Sequence, residues 1–84
     1  MVKEAVIEQD VTAEAEEQLT PRQREVLDAL RRFIARRRYA PSVREIRDQF
    51  GWASTSTVNY HLDILQDKGL IARDRFIARS IRLL

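Results

Sequence analysis

Several features that define other protein classes are missing from this chain of 84 residues. It has no cysteine, which excludes disulfides and thiolate metal sites and is typical of proteins in a reducing compartment. No apolar run approaches the roughly 20 residues of a membrane span, and the N-terminus lacks the apolar core of a signal peptide. The absences therefore predict a small cytoplasmic domain.

The inventory of reactive side chains is equally short. A single domain of this length is too small for a large enzyme with a deep pocket. Its one histidine, His61, has no second His or Cys with which to share a metal ion. Its imidazole also falls on a different helix face from the nearby hydroxyls, so a nucleophile, a base and an orienting group cannot be assembled. We therefore expect no enzyme activity, no metal and no cofactor.

Charge is divided unevenly along the chain. Residues 1–18 contain one lysine and six acidic residues, a net charge of −5, whereas residues 19–84 contain 14 basic and seven acidic residues, a net charge of +7. Thirteen of those 14 basic residues are arginines, whose planar fork suits phosphate. Any one of them is best explained as a solvated surface residue, but the excess favours a polyanionic partner. We expect residues 1–18 to be a flexible acidic arm and residues 19–84 to be the folded domain.

Capping signals divide the folded part into helices. Thr20, Pro21 and Gln23 form the start of a first helix from about Pro21 to Arg37, with apolar residues at helical spacing along it. Ser42 and Glu45 make a second capping box, and Gly51 supplies the left-handed residue that ends this second helix. A third helix begins after Ser54 and ends at Gly69. Two short helices joined by a Gly-containing turn are typical of a helix-turn-helix.

The C-terminal stretch alternates in polarity and predicts a hairpin. Its strands are expected at about 70–73 and 79–83, joined by a tip at 74–78. The predicted fold class is therefore α+β and mostly helical, a three-helix winged helix-turn-helix with a two-stranded β-hairpin wing.

The outward face of the third helix carries the candidate base-reading residues. Val58, His61, Leu62 and Leu65 fall on the docking face, whereas the opposite side presents polar groups. Folding alone could explain the hydroxyls, because Ser54 can cap the helix and threonines can bond to their own backbone. Folding explains Asn59 and Tyr60 less well, and an asparagine can pair with the N6/N7 edge of adenine. Spacing places Ser56, Asn59, Tyr60 and Asp63 on this opposite side, and we favour base reading for Asn59 and Tyr60.

The candidate DNA-backbone contacts are arginines on the wing and the second helix. Plain solvation is the alternative for each, but their position beside a reading helix favours phosphate or minor-groove contact. These residues are Arg44, Arg73, Arg75 and Arg79. The apolar tip, Phe76 and Ile77, has two possible roles: it contacts a partner subunit or a sugar edge, or it folds back onto the domain. Trp52 is expected to pack under the third helix.

Three blocks of the sequence resemble the DNA-binding domain of LexA repressors. They are "LTPRQREVLDALRRFI", "YAPSVREIRDQFGWASTSTV" and "GLIARD…ARSIRLL", within residues 19–84. The resemblance implies an inverted-repeat operator read through the third helix, with the wing along the DNA backbone. Carried over by position, it also implies the base-reading candidates Ser54, Ser56, Thr57, Asn59 and Tyr60. Family members continue into a self-cleaving domain with an Ala-Gly site, and this sequence has no Ala-Gly dipeptide, so we expect no self-cleavage. The arm is also longer than is usual in the family, and the tip lacks the customary Gly or Pro.

The sequence thus predicts a regulator that binds double-stranded DNA, acting as a transcriptional repressor and as a possible homodimer on an inverted repeat. The alternative is a winged-helix module that binds a protein partner instead of DNA. Two questions remain open at this point. The chain is either a complete small regulator, for example phage-encoded, or a piece of a longer repressor, and it either represses or activates transcription. The initial Met and the separate arm lean slightly toward the complete small protein.

Overall fold

The computed structural model describes residues 14–84, and the first helix it defines in full is α1, Pro21–Arg37. Thr20 caps α1 by accepting a hydrogen bond from the Gln23 amide, while the Gln23 side chain accepts one from the Thr20 amide. The helix ends at Arg38, which adopts the left-handed conformation (φ 65°) and donates its amide to the Ile34 carbonyl. The predicted bounds of this helix are confirmed.

Helices α2 and α3 form the helix-turn-helix. Helix α2, Val43–Phe50, begins with the reciprocal Ser42–Glu45 capping box. It ends at Gly51, whose φ of 68° lies in the left-handed region that glycine adopts at least cost. Helix α3, Thr55–Asp67, is capped by Ser54, whose hydroxyl accepts a hydrogen bond from the Ser56 amide at 3.0 Å.

The wing is an antiparallel hairpin with shorter strands than predicted. Strands β1, Ile71–Ala72, and β2, Arg82–Leu83, pair Ile71 with Leu83 and Ala72 with Arg82. The predicted strands at 70–73 and 79–83 are therefore wrong in extent, because the intervening chain folds on itself. The Asp74 amide donates to the Ser80 hydroxyl, and that hydroxyl donates to the Asp74 carbonyl. Arg79 has a left-handed backbone (φ 58°), which takes it out of the extended conformation.

One apolar core joins all of these elements. Its largest fully buried side chains come from α1, α3 and β1, namely Val26, Leu27, Leu30, Val58, Leu62, Leu65 and Ile71. Burying each of them stabilises the fold by about 1.5–3 kcal/mol. The three-helix winged helix-turn-helix is thereby confirmed. Among the helices of residues 14–84, none combines the length and apolarity needed to cross a bilayer.

The packed region begins before residue 19. Residues 14–17 are helical, and Ala15 packs against the core cluster. Both carboxylate oxygens of Glu16 accept hydrogen bonds from Arg31, at 3.1 and 2.9 Å, and this pairing lowers the pKa of Glu16. Residues 14–18 of the expected arm thus lie against the domain, whereas residues 1–13 are outside the described residues.

Candidate nucleic-acid interface

The polar face of α3 that carries the base-reading candidates is largely exposed. Ser54, Ser56 and Thr57 are exposed around the first turn of the helix, and Tyr60 follows one turn later. The Tyr60 side chain is 62% exposed even though it is a large aromatic residue on a helix that docks tightly. Its ring meets only the edge of His61, at 5.3 Å between centroids. The structure therefore brings these four candidates onto one accessible surface.

A stack of rings holds that surface in place from beneath. The Trp52 ring lies 4.6 Å from the Phe50 ring and 5.1 Å from the His61 ring, nearly parallel to both. His61 is buried, and burial followed by the positive charge of Arg22 lowers its pKa. His61 thus packs against Trp52 and ties α3 to the turn, and Trp52 packs under the helix as expected. In the described part of the chain, no three potential metal ligands cluster together.

Asn59, the remaining reading candidate, is part of a partly buried polar network. Arg73 Nη1 donates to Asn59 Oδ1 at 3.2 Å, and Arg73 Nη2 donates to the Asp63 carboxylate. The Arg73 side chain is only 3% exposed, so in this conformation it cannot reach a phosphate. In this conformation Arg73 joins the wing to α3, which weighs against the expected contact with the DNA backbone. Asp63 was missed as a site residue, although helical spacing places it on the same face as Asn59.

Arg79 braces the other side of the wing. Its guanidinium donates to Glu45 Oε1 at 2.7 Å and to the Ala40 carbonyl at 3.0 Å, and it lies 4.9 Å from the centre of the Tyr39 ring. The hydrogen bond from Arg79, with a second one from the Ser42 amide, lowers the pKa of Glu45 from 4.5 to about 2. A phosphate would therefore compete with Glu45 for Arg79, so this residue is less free than the sequence suggested. The contact between Tyr39, which lies between α1 and α2, and the wing residue Arg79 was not predicted.

Arg44 and Arg75 are two exposed cations beside the wing. With Arg79 they line an open groove of about 320 Å³ between the start of α2 and the wing. Arg75 makes only a long contact with Asp63, at 3.5 Å. At the tip, Phe76 is 97% and Ile77 60% exposed, so the Phe76 ring does not fold back onto the domain. Cationic and apolar groups thus project beside the polar face of α3.

A helix-turn-helix with a protruding polar face on its second helix, flanked by a basic hairpin wing, defines the winged helix-turn-helix class of DNA-binding domains. Comparison with known families agrees with this class. The model of the LexA DNA binding domain matches residues 16–80, which include the packed residues before the first capping box. The chain belongs to the LexA DNA-binding domain family, as the three sequence blocks had indicated.

Individual relatives cover the same region. The LexA repressor of Frankia alni is 47% identical over 66 residues, which are 79% of this chain and 26% of that repressor. The LexA repressor of Bacillus mycoides is 46% identical over 68 residues, 81% of this chain and 33% of the relative. That of Acidothermus cellulolyticus is 46% identical over 65 residues, 77% of this chain and 24% of the relative. This chain thus corresponds to about a quarter to a third of the length of these relatives.

Proposed function

We propose that this protein binds double-stranded DNA sequence-specifically and represses transcription by occluding its operator. The observation that carries the proposal is the exposed polar face of α3, above all the Tyr60 side chain at 62% exposure. A hydroxyl-rich helix start beside an exposed phenol suits base edges, which offer hydrogen-bond donors, acceptors and the thymine methyl group in the major groove. Membership of the LexA DNA-binding domain family supports the same activity.

In this account α3 enters the major groove through its N-terminal half. Ser56, Thr57 and Tyr60 face the bases, with Asn59 at the edge of the same surface. Ser54 caps the first turn of α3, and the N-terminus of the helix contacts a phosphate. Arg44 and Arg75 neutralise phosphates on either side of the groove they line.

Tight binding in this proposal requires two copies of the chain. A single reading helix covers one half-site, and a second copy on an inverted repeat doubles the contact, with half-sites about 10 base pairs apart or a multiple of that. The dimer forms on the DNA, and the chain is a monomer in dilute solution. Sedimentation without DNA tests this statement, since a stable dimer would contradict it.

Selection from a pool of random duplexes is the direct test of the function. The parent chain should enrich an inverted repeat, whereas a variant with Ser56, Thr57 and Tyr60 all replaced by alanine should enrich none. These side chains are exposed, so the variant should keep the parent's circular dichroism spectrum. A parent that enriches no sequence would refute the proposal and favour a protein partner.

A further inference from the structure

The orientation of the Asn59 amide is set by the wing. Asn59 Oδ1 accepts a hydrogen bond from Arg73 Nη1 at 3.2 Å, across 14 residues of chain. A guanidinium carries donors and no acceptor, so the amide atom that faces it has to be the oxygen. The Asn59 NH₂ group therefore points away from Arg73.

Arg73 itself is firmly held. Its side chain is 3% exposed, and its second terminal nitrogen donates to the Asp63 carboxylate. Moving this guanidinium would break a charge-assisted hydrogen bond and leave a nearly buried cation without its carboxylate partner, which is costly. Arg73 is therefore a fixed donor beneath Asn59 on the reading face.

We propose that Arg73 is a positioning residue that makes Asn59 a donor-only reader, with guanine as its preferred base. This inference rests on the proposed function. Guanine presents two neighbouring acceptors, N7 and O6, in the major groove, whereas adenine presents the N7 acceptor beside the N6 donor. The usual bidentate pairing of asparagine with adenine needs the amide oxygen to face the base and accept from N6. The hydrogen bond from Arg73 instead turns that oxygen toward the wing and leaves the NH₂ group pointing outward. A preference for guanine thus replaces the adenine preference that an asparagine suggests from sequence alone.

The test first locates the base pair that Asn59 reads. This is the operator position at which Asn59→Ala loses discrimination between base pairs while other positions keep theirs. Four duplexes, one for each base pair at that position, are then titrated with the parent and with Arg73→Met. The parent should prefer guanine over adenine by roughly 10-fold or more, within the range of one bidentate contact. Arg73→Met frees the amide to rotate, and the preference should fall below about 3-fold.

Arg75→Met is the matched control. Arg75 also contacts Asp63, at 3.5 Å, but makes no hydrogen bond to Asn59 within the described region. It should weaken binding to all four duplexes alike and leave their order unchanged. Because Arg73 is nearly buried, thermal unfolding of Arg73→Met is followed in parallel. Should that variant fail to fold, Asp63→Asn decides instead, since Asp63 is 47% exposed and its replacement loosens Arg73 without removing it.

Three results would overturn the inference. They are a parent preference for adenine at that position, an Arg73→Met variant that weakens all four duplexes equally, and an Asn59→Ala variant that alters no position. Each of these leaves the proposed function standing, because the parent still selects an operator. A parent that distinguishes no duplexes at all would refute the proposed function itself.

Discussion

Replacing Tyr60 with alanine should weaken operator binding far more than it weakens the fold. An aromatic side chain offers roughly 200 Å² of surface, so 62% exposure leaves about 125 Å² free in the unbound protein. Covering all of it would contribute about 3 kcal/mol at 25 cal/mol per Å². Since DNA covers only part of the ring, we expect a loss of about 1–3 kcal/mol, in the range of one lost base contact in duplex DNA. The dissociation constant should therefore rise about 5- to 150-fold.

The same arithmetic bounds the effect of Tyr60→Ala on stability. The buried remainder of the side chain, about 75 Å², is worth up to about 2 kcal/mol. Alanine recovers roughly 0.5 kcal/mol through its higher helix propensity. Thermal unfolding of the variant should show this modest loss, and binding is to be measured well below its melting temperature.

Fluorescence anisotropy with the selected duplex is the assay for this variant. Gln66→Ala is the matched control, because Gln66 is exposed near the other end of α3 and far from the reading surface. It should bind like the parent. If Tyr60→Ala also bound like the parent, the exposed face of α3 would not be the reading surface.

Two further predictions concern the wing. Arg75→Ala should reduce affinity for all duplexes alike. It should also flatten the slope of log K against log salt by roughly 0.9, because each phosphate contact releases counterions from the DNA. Arg44→Ala should do the same, and an unchanged slope in both variants would remove this groove from the DNA interface. The pKa of Glu45, lowered to about 2 by Arg79, predicts that docking of the wing on α2 is complete above pH 4.5 and is lost as the pH falls toward 2. Amide chemical shifts of residues 78–80 should follow this titration, whereas Glu45→Gln should abolish it; shifts in the parent that titrate near pH 4.5 would contradict the Arg79 contact.

Local signals made the helices predictable. The Thr20–Gln23 and Ser42–Glu45 boxes each lie within four consecutive residues, so the same chemistry that appears in the sequence operates in the fold. Gly51 is similar, because glycine is the commonest residue at a left-handed helix end, although Arg38 ends α1 in the same conformation. The exposed face of α3 followed from its 100° spacing, since burial of Val58 and Leu62 determines what remains outside.

Contacts between distant residues were not predictable in the same way. Glu45 carried a capping signal, but its bond to Arg79 spans 34 residues and depends on how the wing docks. Arg73 looked like an exposed cation, although it lies buried against Asn59 and Asp63 because β1 packs on α3. The wing strands were overestimated for a related reason. Alternating polarity indicated extended chain, but the Asp74–Ser80 hydrogen bonds and the left-handed Arg79 fold that segment into a compact loop.

The most direct test of DNA reading by α3 compares two duplexes at two salt concentrations. One duplex carries the selected inverted repeat, and the other has the same base composition in scrambled order. The parent should bind the selected duplex at least 10³-fold more tightly, in the range of specific protein–DNA complexes, and both affinities should fall steeply as salt is raised. Equal affinity for the two duplexes at both salt concentrations would contradict sequence-specific recognition by this domain.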